Sequence, residues 1–356
     1  MNFFTKETKT ALQAKEQALW LAFAPIAFQA TVALRDMGIL DIVSKSGSAG
    51  ITQKEVQEQV KLSPYAVRVL LEAALGIELL IFQDNKYILT KTGYFILHDK
   101  LTRINMDFSR DVCYKAMTHL QDSLIDGKPR GLQELGPWPT IYEGLAHLPE
   151  PANTSWFNFD HYYSDLAFPD VLPIVFQEKP KKLLDIGGNT GKWSKACAQY
   201  DPDVHVTLLD LAIQIELAEK NIKESLLSDR VDFYVTDILN EQLPFPEGFD
   251  VIWMSQFLDC FSEEEIISIL IRCRKALNEG GSIFILEPFW DKQMFKSAAF
   301  CLQQTSLYFT AIANGNSQMY FSENFYELIK KADLQVVMEN NKIGLNYTLL
   351  KCIPLT

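Results

Sequence analysis

Positive charge is in short supply in this chain. Lysine and arginine number 33 against 45 aspartates and glutamates, a formal net charge of −12. So acidic a chain suits neither the phosphate backbone of nucleic acid nor an anionic membrane surface. Paired cysteines are also missing. The six, at Cys113, Cys197, Cys260, Cys273, Cys301 and Cys352, are scattered, with no Cys-x-x-Cys or Cys-x-x-His. Neither a metal site nor a disulfide framework is expected, and a reducing compartment is the default. The opening Met1-Asn2-Phe3-Phe4-Thr5-Lys6-Glu7 lacks a signal peptide's basic region, long apolar run and small-residue cleavage site. A cytoplasmic location is expected from this. An unbroken membrane-length run is absent as well. The most apolar stretch, Ala18 to Leu34, is interrupted by Pro25, Gln29 and Thr31. It falls slightly short of the about 20 residues a bilayer requires.

What is present is apolar. Of 356 residues, 48% are hydrophobic, enough for real cores, and the length suggests two domains. A helix apolar on every side must be buried on every side. For Ala18 to Leu34, a partner subunit is the easiest cover. Gly38 to Val43 reads as a helix end entering a short buried segment. Thr52-Gln53-Lys54-Glu55 is a capping box, and Ser63-Pro64 opens a helix from Tyr65 to about Ile77. Leu79 to Phe82 and Tyr87 to Thr90 flank Gln83-Asp84-Asn85-Lys86 as a hairpin. Helix, helix, hairpin is a winged-helix order. Yet the second helix carries only Arg68 and Glu72 as charges, where a DNA-reading helix needs several basic or amide side chains. Packing and dimerisation is the reading that remains.

Residues 101–170 are rich in aromatics and methionine, fit for core and for the walls of an apolar pocket. Pro149-Glu150-Pro151-Ala152-Asn153 reads as a linker. His161, in Trp156 to Tyr163, is read either as a base or substrate contact or as a hydrogen-bonded structural histidine.

The rest is organised around Leu183-Leu184-Asp185-Ile186-Gly187-Gly188-Asn189-Thr190-Gly191-Lys192-Trp193. It reads as a buried strand, a glycine turn and a helix start. Glycines there allow positive φ and a close backbone approach to a ligand, and the helix start turns free N–H groups the same way. Asn189 tolerates left-handed φ. Asp210 ends the next strand about 20 residues on, where a nucleoside ribose is gripped in doubly wound sheets. Strands follow at Val231 to Val235, Phe249 to Met254, Ser282 to Glu287, Leu334 to Met338 and Tyr347 to Lys351. A helix capped by Ser262 and Glu265 and stopped by Gly280-Gly281 lies among them. Alternating strands and helices argue for a mainly parallel α/β sheet. Asp185, Asp210, Asp237, Ser255 and Glu287 then fall at strand C-termini, where ligands bind.

Asp-x-Gly-Gly-x-Thr-Gly followed by that Asp resembles the class I S-adenosylmethionine-dependent methyltransferases. The whole chain looks like the small-molecule O-methyltransferases with an N-terminal helical dimerisation domain. The resemblance implies a Rossmann-like seven-stranded sheet, S-adenosylmethionine as donor with S-adenosylhomocysteine as product, and a homodimer. It divides the chain into a winged-helix dimerisation domain (1–100), a helical connector lining the substrate pocket (101–170) and the catalytic domain (171–356). By resemblance the donor is held by Asp185, Gly187, Gly188, Gly191, Asp210, Leu211, Asp237, Ile238, Ser255 and Gln256. The acceptor is expected to be a small aromatic or polyketide-like hydroxyl compound.

The match departs from the family where the base is needed. The family's His falls on Asp259, its following Asp on Cys260, and its Lys on Ser255. A carboxylate that orients the His is kept as Glu287, and a third falls on Met319. Three arrangements follow. Asp259 is the base, with burial or Glu287 raising its pKa from near 4. Or another group such as His161 serves, or proximity suffices. Or methyl transfer is lost, and the chain is a nucleoside-binding regulatory dimer or uses the donor as a structural cofactor. Asp259 is read equally as a surface carboxylate leading the next helix.

Overall fold

The computed structural model describes residues 3–225, 227–345 and 347–355, the side chains of residues 164 and 165 excepted. Met1 and Asn2 lie outside the described residues. The described residues divide into two compact units, the first ending at Arg110 and the second beginning at Asp111.

The first unit opens on a 26-residue helix, Ala11–Asp36. Thr10 caps it: its Oγ1 accepts from Gln13 N at 3.3 Å, and Thr10 N donates to the Gln13 side chain at 2.9 Å. The helix runs through Pro25. It contains the whole apolar stretch Ala18 to Leu34, and the capped polar residues before Ala18 add turns to it. By length and composition the helix could cross a membrane. Only Val32 and Leu34 are buried along it, while Leu19, Trp20, Leu21, Phe23 and Ile26 are exposed. One chain therefore does not supply the burial on all sides that its composition demands.

Gly38, in the left-handed region, starts a short helix, Ile39–Lys45. Thr52 and Glu55 form the expected capping box, and Ser63 caps Pro64–Gly76. Strands β1 (Leu80–Gln83) and β2 (Lys86–Leu89) pair as a hairpin. Asp84 and Asn85 both take positive φ at its turn, which matches the right-handed twist of the strands. Leu34, Ile39, Leu40, Val67, Leu71 and Leu80 form the unit's core.

The second unit is built on a seven-stranded sheet. Its strands are β3 (Lys182–Ile186), β4 (His205–Asp210), β5 (Val231–Val235), β6 (Phe249–Ser255), β7 (Leu277–Glu287), β8 (Leu334–Ile343) and β9 (Tyr347–Pro354). The order is β5-β4-β3-β6-β7-β9-β8. The first five run parallel, and β9 is antiparallel to β7 and β8. Side chains alternate between faces with period two. Leu184, Ile186, Ile252, Met254, Ile283 and Ile285 pack on one face with the helices Glu263–Ala276 and Ser322–Lys331. Leu183, Val251, Trp253, Phe284 and Leu286 pack on the other with Phe168–Val175 and Lys192–Tyr200. Both faces are covered, as a parallel sheet requires.

Two boundaries differ from the sequence reading. The helix capped by Ser262 ends at Ala276, and Gly280 and Gly281 lie inside β7. The pairing of β6 with β7 is irregular between Phe249 and Val251, and Gly280 takes φ +77° within it. Those glycines serve the irregular strand start instead of a helix stop. Ala152 and Asn153, read as linker, already form the first turn of the helix Ala152–Ser164.

Candidate active site

The loop after β3 is shaped by residues at positive φ: Gly187 at 70°, Asn189 at 48° and Gly191 at 76°. Close approach also requires glycine here. A Cβ on Gly187 would stand 2.2 Å from Phe257 Cδ2, and one on Gly188 would stand 2.6 Å from Leu208 Cγ. Asp210 ties the loop to the tip of β4. Its Oδ2 accepts from Asn189 N at 2.9 Å and its Oδ1 from Leu211 N at 2.8 Å. Burial still pushes the Asp210 carboxyl up to about 6, outweighing those two bonds.

Asp185 sits on the face of β3 that meets the helix Lys192–Tyr200, where the alternation would otherwise place an apolar residue. It is 2% exposed. Ser194, in that helix's first turn, donates to its Oδ2 at 2.5 Å. Burial pushes Asp185 up to about 7; the Ser194 bond opposes this and Asp210 adds to it.

Asp185, Gly187, Gly188, Ser255 and Gln256 line one cleft, and Asp160 and His161 reach it from the helix Ala152–Ser164. Trp193 and Trp253 also line it, stacked with ring centroids 4.1 Å apart. Ser255 Oγ is buried without a hydrogen-bond partner. Gln256 holds φ +49°, a conformation that costs a non-glycine residue about 1–3 kcal/mol and needs surrounding structure to hold it. The holding groups are Leu286 O, which accepts from Gln256 N at 2.9 Å, and Tyr347 OH, which donates to Gln256 Oε1 at 2.6 Å. His161 Nδ1 lies 3.7 Å from Asp160 Oδ2.

Asp210 ends β4, and Leu211, Asp237 and Ile238 stand just beyond the tips of β4 and β5, all four outside the walls of this cleft. Asp237 is exposed and accepts from Leu239 N at 3.0 Å, while Ile238 belongs to the core.

Asp259 and Glu287 form a second group. Asp259 is not a surface carboxylate. The turn Leu258–Cys260 folds it inward and leaves it 5% exposed. Burial pushes its carboxyl up to about 7, and Asp160 adds to the shift. Glu287, the last residue of β7, is 2% exposed. Its Oε1 accepts from Phe257 N at 3.0 Å and Leu258 N at 2.9 Å. Burial, with the charge of Asp259 second, holds it well above the ordinary carboxylate range. Neither residue lines the cleft. Met319, where the family resemblance implied a third carboxylate, is buried.

Sequence reasoning missed several participants. Ser194 had a usable signal, because a hydroxyl in the first turn of the helix faces the strand carrying Asp185. Asp160, one residue before His161, was legible by the same helix. Tyr142 and Tyr347, which lie within electrostatic reach of Asp259, carried none, because they come from distant segments.

The family comparisons agree with this geometry. Residues 153–335 match the model of the O-methyltransferase domain, and residues 15–87 match that of the Dimerisation2-like domain. The chain is 25% identical over 321 residues to an L-tyrosine C(3)-methyltransferase of Streptomyces lavendulae, covering 89% of this chain and 86% of that one. The crystal structure of the S-adenosylmethionine-dependent methyltransferase SibL in its apo form matches with a TM-score of 0.71 and 21% identity, over 95% of this chain and 98% of that one. The O-methyltransferase NcsB1 from neocarzinostatin biosynthesis, in complex with S-adenosylmethionine and 2-hydroxy-5-methyl naphthoic acid, matches at 0.66 and 18%, over 93% and 96%. A strand, glycine loop and helix with carboxylates at the strand tips, in a chain half of which fits that domain model, place this protein in the family of S-adenosylmethionine-dependent O-methyltransferases.

Proposed function

We propose that this chain transfers a methyl group to a hydroxyl of a small aromatic acceptor, with the donor held in the cleft after β3. The observation that carries this reading is the cleft itself: a loop whose Gly187 and Gly188 leave no room for a Cβ, an unpartnered Ser255 Oγ and Asp185 on the wall, with Asp210 gripping the loop from the tip of the next strand. Those features fit a molecule with a sugar, hydrogen-bonding groups and a positive centre. Asp185, Gly187, Gly188, Gly191, Ser255 and Gln256 would hold its near side, and Asp210, Leu211, Asp237 and Ile238 its nucleoside end. Bound S-adenosylmethionine supplies an electrophilic methyl group that needs no further activation.

The chain then has two tasks. One is to hold the acceptor oxygen in line and exclude water. The stacked Trp193 and Trp253 and the half-buried loop suit that role. The other is to take the hydroxyl proton. Asp259 is the base in this reading, because burial brings it near neutrality, where a general base is most effective. Glu287 positions the Asp259 turn by gripping its amides. His161 is the second candidate, favoured by its place on the cleft wall.

The N-terminal unit pairs with a second copy of the chain. Support comes from its Dimerisation2-like match and from the bare apolar residues of Ala11–Asp36, since an exposed patch of that kind marks an interaction surface.

Radiolabelled methyl transfer to a panel of phenols and catechols tests the function. Turnover is expected, with kcat lowered about 100-fold or more in Asp259→Asn. A similar loss in His161→Ala, with Asp259→Asn unimpaired, would assign the base to His161.

A further inference from the structure

Tyr347, the first residue of β9, lies two strands away from β6 in the sheet. Its hydroxyl nevertheless crosses to Gln256, the residue after β6, and donates to Oε1 at 2.6 Å. Tyr347 is buried, and burial holds its hydroxyl well above the ordinary 10. It therefore keeps its one hydrogen, and among the described residues Gln256 Oε1 is the acceptor that takes it. A side-chain amide has an acceptor end and a donor end of nearly the same shape. With Oε1 committed to Tyr347, the donor end, Nε2, is turned away from it. Nε2 carries two N–H groups and makes no hydrogen bond among the described residues. Gln256 lines the cleft, as does Ser255 with its unpartnered Oγ. Sheet order says which end of a ligand meets these groups. Because β3 separates β4 from β6, Asp210 and Gln256 stand at strand tips on opposite sides of the glycine loop. A donor whose nucleoside end lies toward Asp210 extends its amino-acid tail toward Gln256.

We propose that Tyr347 is a positioning residue for donor binding: by holding Gln256 Oε1, it presents Nε2 to the carboxylate of the donor's amino-acid tail. The inference rests on the donor reading above and assigns the group at the tip of β6 that recognises that tail. A carboxylate only accepts hydrogen bonds, and so matches an amide end that only donates. Ser255 Oγ, on the same wall, supplies a hydroxyl donor beside it. An amide free to turn would meet the carboxylate with its oxygen as readily as with its nitrogen, acceptor against acceptor. Tyr347 removes that orientation.

Calorimetry on the full chain tests this with two ligands that differ in one group: S-adenosylhomocysteine and its decarboxylated analogue, which keeps the amine and lacks the carboxylate. The parent is expected to prefer S-adenosylhomocysteine about ten-fold or more, the range of a hydrogen bond to a charged group. Tyr347→Phe keeps the ring and removes the hydrogen bond. Its preference should shrink about five-fold or more, with affinity for the decarboxylated analogue within about two-fold of the parent's. Gln256→Glu still accepts from Tyr347 but offers no donor, so it should abolish the preference with the restraint in place. In Gln256→Met, which has no amide to orient, adding Tyr347→Phe should change the preference by less than about two-fold. Equal weakening of both ligands in Tyr347→Phe, or a preference that survives Gln256→Glu, would overturn the proposal. A preference lost in Lys192→Met and kept in the other variants would overturn it in favour of Lys192, which also lines the cleft. If the parent binds neither ligand, the donor reading fails and takes this inference with it. If it binds both alike, only the inference fails.

Discussion

Replacing Asp259 with asparagine should stabilise the protein more at high pH than at low. Burial lifts this carboxyl from its ordinary 3.8 to about 7. Between those values the folded chain retains a proton that the unfolded chain has released. Stability therefore falls as pH rises through that window. It is undiminished below the unfolded value, and the loss is complete above the folded one. One pH unit is worth about 1.4 kcal/mol, so the two units from about pH 5 to about pH 7 remove about 3 kcal/mol. Asparagine cannot ionise and escapes that loss. The difference in Tm, variant minus parent, should climb by about 5–10 °C between about pH 5 and about pH 8, given about 2–4 °C per kcal/mol for a domain of this size. Thermal melts by circular dichroism across that range measure it. The same variant should lose methyl transfer, because the strained group is also the working one. An offset in Tm that stays flat with pH would refute the buried, proton-holding Asp259.

Gly187→Ala forces a side chain into left-handed φ and against the Phe257 ring, costing about 1–2 kcal/mol for the backbone alone. Calorimetry should show affinity for S-adenosylhomocysteine down about ten-fold or more, and unchanged affinity would mean the loop makes no close approach to the ligand. Ser194→Ala removes a bond that favours ionised Asp185. The pH midpoint of donor binding should move upward, and a fixed midpoint would take Asp185 out of the binding equilibrium. Phe23→Asp places a charge on a side chain 61% exposed in the single chain. Sedimentation should then report a monomer where the parent is a dimer, and a dimer in both would move the interface elsewhere.

The sheet, the capped helices and the glycine loop were legible because their signals are local. Thr52 with Glu55, and Ser262 with Glu265, announce their helices within four residues. The short apolar run from Leu183 to Ile186, bounded by the glycine turn, announces a buried strand, and Asp210 stands one strand further along. Asp259 was ambiguous for the opposite reason. Whether a carboxylate before a helix lies outside or inside depends on the turn Leu258–Cys260, whose amides are gripped by Glu287 from 29 residues away. Tyr347, which orients Gln256, lies 91 residues away in sequence. Contacts of that separation leave no spacing for a reader to find. The glycines of β7 misled because Gly-Gly after a helix usually stops it, and here an irregular strand claims them.

The central claim is that the loop after β3, with the carboxylates around it, binds the methyl donor. Isothermal titration of the full chain with S-adenosylhomocysteine tests it without reference to any acceptor. One site per chain is predicted, weakened by Gly187→Ala. No heat at any temperature, in a chain shown to be folded, would contradict it.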